Sequence, residues 1–509
     1  MSIELENRSE QERVRWGKLE ALREAGIEPY PNRFERTHQA AELQQKYAEL
    51  ESGAETEDVV RVAGRLMARR GQGKLIFADL VDDTGKIQLT LSLDKLGEAV
   101  MTRFDLMDLG DWLGVAGSVR RTKRGELSIA VSDYALLAKC LHPLPEKWHG
   151  LADVEVRYRQ RYLDLIVNPE VKDAFRKRAQ VVKTIRRILD EQGFMEVETP
   201  MLQAIPGGAA ARPFNTFHNA LEMPLHLRIS PELYLKRLVV GGFEKVFDLN
   251  RNFRNEGIST RHNPEFTMVE MYQAYGDYRT MMALAETLVT GVLMATHGSL
   301  QIPYQGTMLD FTTPWRRATM AELVNEKLGV SVETMSVDEL KALAARVHAK
   351  TPIQLTHGHL VNEIFEATCE DSLIQPTFVI DHPVEISPLA KRKPESPQLT
   401  ERFEIFVAGR ELGNAFTELN DPVDQRGRFE EQLKEREKGN DEAHALDEDY
   451  LNALELGLPP TGGMGIGIDR LVMLVTDAAS IRDVILFPHM RPRRSAAEEQ
   501  ELQPDVAQP

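Results

Sequence analysis

Cysteine is nearly absent from this chain: Cys140 and Cys369 are the two in 509 residues, with no C-x-x-C spacing. A disulfide framework is thereby excluded, no structural zinc site is indicated, and a reducing cytoplasm fits. Long hydrophobic runs are missing too, since no uninterrupted apolar stretch reaches the roughly 20 residues that span a membrane. The N-terminus, Met-Ser-Ile-Glu-Leu-Glu-Asn, lacks the basic start and apolar core of a secretion signal. A cytoplasmic protein without membrane attachment is the expectation. Also missing are a G-x-x-x-x-G-K-[ST] phosphate loop, a G-x-S-x-G elbow and a Lys-x-Asp-Gly nucleophile motif. Covalent catalysis therefore has no visible candidate. Positive charge is in deficit as well: 62 Lys and Arg against 79 Asp and Glu give a net charge of −17. That argues against a protein that coats nucleic acid through its whole surface.

The length and a hydrophobic content of 42% allow two to four domains with large cores. Residues 1–55 read as a helical arm, with an amphipathic helix over 7–26 that stops at Gly26 and a second charged helical stretch to about Leu50. From Val59 to Leu137, short alternating segments broken by Gly71, Gly73, Gly85, Gly114, Gly117 and Gly125 predict a small β-barrel within 56–145. That barrel concentrates basic charge, at Arg61, Arg65, Arg69, Arg70 and Lys74 and again at Arg120-Arg-Thr-Lys-Arg124. Pro143 and Pro145 mark a linker to a larger α+β domain over 146–495. It opens with a helix over 171–192 and an edge or interface strand, Phe194 to Pro200. Helices predominate from 315 to about Cys369, strands return, and a polar tail fills 496–509.

Three segments carry chemistry. In strand spacing, Asn250, Asn252, Arg254 and Glu256 share one face, and after a loop Phe266, Met268, Glu270 and Tyr272 share another. A hairpin pairing Arg254 with Phe266 would gather a permanent cation, donors at Arg261 and His262, and an aromatic face for a base. A salt-bridged hairpin would explain the same pattern. In Arg402 to Glu418, a turn at Val407 and Ala408 is expected to set Glu404 opposite Glu411, which calls for a divalent cation or another positive charge between them. Asn414, Phe416 and Glu418 alternate onto one face, while two glutamates on an exposed hairpin remain the alternative. The third segment, Gly462-Gly-Met-Gly465-Ile-Gly467-Ile-Asp469-Arg470, runs from glycines into an apolar helix whose start carries an arginine suited to polyphosphate, or else marks tight strand-to-helix packing. His357-Gly-His359 lacks a third metal ligand and is read as a helix-flanking loop.

In this order the segments resemble the signature motifs of class II aminoacyl-tRNA synthetases: Phe194–Pro200 is similar to motif 1, Phe253–Phe266 to motif 2 and Gly463–Arg470 to motif 3. The resemblance covers nearly the whole chain and is greatest to the bacterial-type lysyl-tRNA synthetases. It implies an N-terminal OB-fold anticodon-binding barrel and a catalytic domain on an antiparallel sheet flanked by helices. It also implies activation of L-lysine with ATP to lysyl-adenylate and pyrophosphate, transfer to tRNA(Lys), and a homodimer formed through motif 1. ATP would meet Arg254, Glu256, His262, Asn263, Phe266, Glu411 and Arg470, with Arg254 and Arg470 as catalytic charges and Mg²⁺ on Glu404 and Glu411. Lysine would meet Gly208, Glu232, Arg254, Glu270, Tyr272, Asn414, Phe416, Glu418 and Gly465. Glu270, Tyr272 and Glu418 supply the negative character that an ε-ammonium requires. Phe77 would stack on an anticodon base beside Arg69 and Gln88. Aspartyl- and asparaginyl-tRNA synthetases share this plan, but Glu270 and Glu418 count against them, and an aspartate pocket would want cations there. A truncated lysylating paralogue would lack the barrel, and a degenerate regulatory copy would have lost Arg254, Glu411 or Arg470.

Overall fold

The structure is a computed structural model that describes residues 8–145, 151–352, 354–437 and 446–492. The polar tail expected over 496–509 lies outside the described residues. The chain divides into two compact units, Met1–Ala152 and Asp153–Pro509.

In the first unit five strands close into a barrel, in the order Glu55–Arg70, Leu75–Val81, Lys86–Ser92, Leu127–Ala138 and Trp112–Arg121. Alternation explains the closure: Val60, Val62, Ile76, Ala78, Leu89, Leu91, Ile129 and Val131 all point into one core. The preceding helices, Glu10–Glu24 and Ala40–Lys46, are not a detached arm, because Leu22, Ala40 and Leu43 pack into the same core. Ser9 caps the first helix through a reciprocal pair with Glu12.

The second unit is built on eight strands. Their order is Arg316–Thr319, Thr377–Ile380, Arg402–Val407, Arg410–Thr417, Thr461–Gly467, Glu265–Ala274, Lys245–Phe253 and Met195–Glu196. Each edge pair is parallel and the pairs between are antiparallel. Met195–Glu196 is shorter than the strand expected over 194–200, but it does sit at the sheet edge. One face is covered by helices Pro169–Glu191, Tyr278–His297 and Ile468–Val475, whose Ile185, Leu189, Met281, Leu288 and Leu471 meet Val269, Met271, Ala415 and Met464 in the main core. Helices Met320–Leu328, Val337–Arg346 and His357–Thr368 form a separate cluster around Leu340 and Phe365. His357 and His359 thus open a helix rather than flank one, with His357 facing the Val332 carbonyl and His359 the Thr356 hydroxyl.

Candidate active site

Five adjacent strands, from Arg402–Val407 to Lys245–Phe253, bring the three chemical segments side by side, although they lie far apart in sequence. Above them opens a cavity of about 520 Å³. Its lining includes Gly208, Glu232, Arg254, Glu256, His262, Asn263, Phe266, Glu270, Tyr272, Glu404, Glu411, Asn414, Phe416, Gly465 and Arg470. Among the residues assigned to lysine, ATP or metal, Glu418 alone is not part of that wall.

Two expected pairings are corrected. Arg254 is not opposite Phe266; Phe266 pairs with Asn252, and the Arg254 amide donates to the Pro264 carbonyl at 2.8 Å. A shift of two residues preserves the face, so the Arg254 guanidinium still lies 5.1 Å from the centre of the Phe266 ring. Its buried Nε has no hydrogen-bond partner, a donor left available for an anion. Nor does Glu404 face Glu411: Glu404 pairs with Asn414 and Glu411 with Phe406, because a bulge after Ile405 leaves Leu412 unpaired. The bulge matters, since it lets Glu411 and Asn414, three residues apart, both reach the cavity.

Positive charge does stand beside each of these glutamates. Arg402 Nη2 donates to Glu404 at 2.6 Å, and Arg470 Nη1 lies 3.1 Å from Glu411. Burial pushes Glu404 up to about 7, with Arg402 opposing the rise and Glu411 adding to it. Burial also works against Glu411, but Arg470, Arg254 and Arg402 outweigh it and hold that carboxyl below its usual range. Among the described residues no group of three or more His, Cys, Asp or Glu is arranged to hold a metal ion. The His262 imidazole is kept below its usual range by burial and by nearby Arg470.

The other end of the cavity is acidic. Glu232 begins the helix Glu232–Val240, and Glu270 and Tyr272 project from the central strand. Ser230 Oγ lies 2.9 Å from Glu270 Oε1, a partner that sequence reading missed. Burial, with Glu232 beside it, pushes Glu270 up to about 8. Glu418 lies behind the wall in an ion pair with Lys236, which also went unnoticed because an i,i+4 lysine on a helix usually reads as solvated. Glycine is required nearby: a Cβ on Gly463 would lie 2.0 Å from Glu418 Oε1 and 2.5 Å from the Tyr272 ring. Gly208, at φ +86°, turns the chain past Ser230 and Glu232.

These features combine anion donors, a ring for a base and an acidic recess on the antiparallel middle of one mixed sheet. Residues 153–491 match the family of tRNA synthetases class II (D, K and N), and residues 60–137 match the OB-fold nucleic acid binding domain. The chain belongs to the class II tRNA synthetases. Within that family its relatives include the lysine–tRNA ligase of Syntrophomonas wolfei, 57% identical over 96% of this chain and 99% of that protein. That of Moorella thermoacetica is 56% identical over 97% and 100%, and that of Synechococcus sp. 57% over 95% and 97%. The OB-fold match fits the closed barrel. On the face turned away from the barrel core Phe77 pairs with Thr90 and Gln88 with Asp79; Gln88 is itself buried there and accepts from Ser128 Oγ at 2.9 Å. Arg69 is not beside them: its register partner is the core residue Ala78, and its side chain pairs with Asp105. Arg70, opposite Phe77 and bonded to Asp79 at 2.9 Å, takes that place. A bulge between Leu66 and Ala68 sets this parity, and sequence alternation could not reveal it.

Proposed function

We propose that the chain is a lysine–tRNA ligase, and the observation that carries this reading is the acidic recess beside the anion-binding end of one cavity. Glu232, Glu270 and Tyr272 line that recess, with Glu418 behind them. A cationic amino acid suits it and an acidic one does not. The relatives named for lysine support the same choice over aspartate or asparagine.

In the proposed reaction a lysine carboxylate oxygen attacks the α-phosphorus of ATP. The bond to pyrophosphate breaks and lysyl-adenylate forms. A terminal ribose hydroxyl of tRNA(Lys) then attacks the lysyl carbonyl and releases AMP. Phe266 receives the adenine face, Arg254 draws together the α-phosphate and the attacking carboxylate, and Arg470 holds the distal phosphate. Glu256, His262 and Asn263 shape the nucleotide end, with Asn263 donating to the Glu265 carbonyl at 2.5 Å and so fixed in place. Gly208, Glu232, Asn414, Phe416 and Gly465 frame the amino acid. Catalysis here is positioning and charge neutralisation, which agrees with the missing nucleophile.

Glu404 and Glu411 suit Mg²⁺, because both line the cavity and Glu411 adds to the burial-driven rise of Glu404, so a divalent ion beside them would favour both ionised carboxyls. When bound, the ion would neutralise phosphate charge, and two carboxylates leave most of its coordination to phosphate oxygens and water. Phe77, Gln88 and Arg70 form the candidate anticodon surface, with Arg69 as a flanking charge. A homodimer and a cytoplasmic location complete the proposal; no helix among the described residues is long and apolar enough to cross a membrane. The test is exchange of pyrophosphate into ATP with lysine, aspartate or asparagine. Lysine-dependent exchange is expected, and its absence in folded, Mg²⁺-supplied protein would refute the function.

A further inference from the structure

Behind the acidic recess stands a cation that the activation chemistry does not use. Lys236 lies one turn along the helix Glu232–Val240, and its ammonium is entirely shielded from solvent. Helical spacing brings Nζ back to Glu232, 2.6 Å from Oε1. On its other side stands Glu418, just beyond the strand Arg410–Thr417. The Phe416 and Tyr450 rings close around it, 5.4 and 6.0 Å from Nζ. Lys236 therefore ties a helix to the sheet behind the cavity wall, gripping one carboxylate that lines the cavity and one that does not.

The charge count is unbalanced. Glu232, Glu270 and Glu418 are all buried, and one resident ammonium leaves a deficit of two positive charges if all three ionise. Arg228, a nearby buried cation, is committed to Asp248 at 2.8 Å. A diamino acid brings two ammonium groups, one on each end, which would close the deficit, its own carboxylate being met by Arg254. An amino acid with only its α-ammonium would leave one carboxyl in need of a proton.

We propose that Lys236 is a positioning and specificity-determining residue: its ammonium clamps Glu232 and Glu418 and sets the charge of the recess to what a diamino acid neutralises. The proposal rests on the lysine-activating reading and deepens it. The groups facing this ammonium are Glu232 on its own helix, Glu418 and Phe416 from the sheet, and Tyr450 from the helix Glu448–Glu455. Glu270, Tyr272 and Arg402 complete the surrounding charge, and Arg237 lies against the other side of Tyr450. Without Lys236 the carboxyls would take up a proton in its place, and incoming lysine would have to expel it.

The test compares full-length wild type with Lys236→Met, Glu418→Gln and the double variant. Lysine KM and kcat come from pyrophosphate exchange between pH 6.5 and 9, and lysine and ATP affinities from calorimetry. For Lys236→Met, lysine KM should rise at least about tenfold at pH 7 and the pH profile should move up by about one unit or more. Its kcat should change less than about threefold and its ATP affinity less than about twofold, because uniform ground-state binding is what is lost. The double variant removes the cation together with one carboxylate. It should restore the profile toward wild type and bind lysine at least about threefold more tightly than Glu418→Gln alone. Should Lys236→Met alone fail to bind ATP, that second comparison carries the test. An unchanged lysine KM, a loss equal at every pH, or a double variant no better than Glu418→Gln overturns the proposal. Wild-type protein without lysine-dependent exchange would instead sink the underlying function.

Discussion

Lysine binding should depend on pH through Glu270. Its carboxyl is pushed up to about 8 by burial and by Glu232, so at pH 7 roughly nine in ten molecules hold it protonated. An ammonium in the recess favours the ionised form, so binding at pH 7 must first remove that proton. One unit between pH and pKa corresponds to about 1.4 kcal/mol, or about tenfold in affinity. The lysine Kd is therefore expected to fall about tenfold between pH 6 and 7, and again by several-fold to pH 8, and then to level off. The ε-ammonium, with an ordinary pKa near about 10.4, stays charged throughout. Calorimetry in two buffers of different ionisation enthalpy should record close to one proton released per lysine at pH 7. Glu270→Gln should bind more weakly and lose most of the dependence. A wild-type Kd that is flat from pH 6 to 8, with no proton release, would refute the reasoning. The same carboxyl affects stability with a defined sign: raised from 4.5 to about 8 on folding, it contributes stability that is fully present below pH 4.5 and lost as pH rises through about 8.

Gly463→Ala should lower stability by about 1–3 kcal/mol in denaturant titrations and raise lysine KM, since its methyl would collide with Glu418 and Tyr272; unchanged stability and KM would contradict the packing. Glu404→Gln is expected to raise the Mg²⁺ concentration needed for half-maximal exchange at least about tenfold, with lysine affinity nearly unchanged; a coincident Mg²⁺ titration would remove Glu404 from that role. Phe77→Ala should raise the KM for tRNA(Lys) about tenfold, in line with about 1–3 kcal/mol per stacked base, and leave pyrophosphate exchange untouched. An unchanged KM for tRNA(Lys) would remove Phe77 from that role.

The faces of the strands were legible in the sequence because side chains alternate with a strict period of two. Phe266, Met268, Glu270 and Tyr272 line the cavity as the spacing predicts. Register was not legible, because a loop of the length found between Phe253 and Glu265 fixes no partner; Arg254 fell two residues from its expected place and kept its face by parity. Irregularities were hidden as well. The unpaired Leu412 brings Glu411 to the cavity, and the bulge near Leu66 exchanges the parity of Arg69 and Arg70. Long-range ion pairs were the hardest to foresee. Lys236 looks like an ordinary surface cation in sequence, and only folding delivers Glu418 to it, whereas Arg402 meets Glu404 two residues along its own strand.

The strand order of the large sheet also shapes how the protein is made. Glu270 lies opposite Gly465, and Asn414 flanks the same glycine from the other side. These partners are separated by long stretches of chain, and such pairing is slow because loop closure precedes its reward. On the ribosome the N-terminal barrel is complete once Ala138 has emerged. The central strand Glu265–Ala274, by contrast, must wait for Thr461–Gly467, the last strand among the described residues. Until then its edge, with Glu270 and Tyr272 on it, has no neighbour on that side and is open to mispairing. The glycines of that late strand thus close the sheet as well as making room for Glu418, so synthesis and activity come to depend on the same few residues.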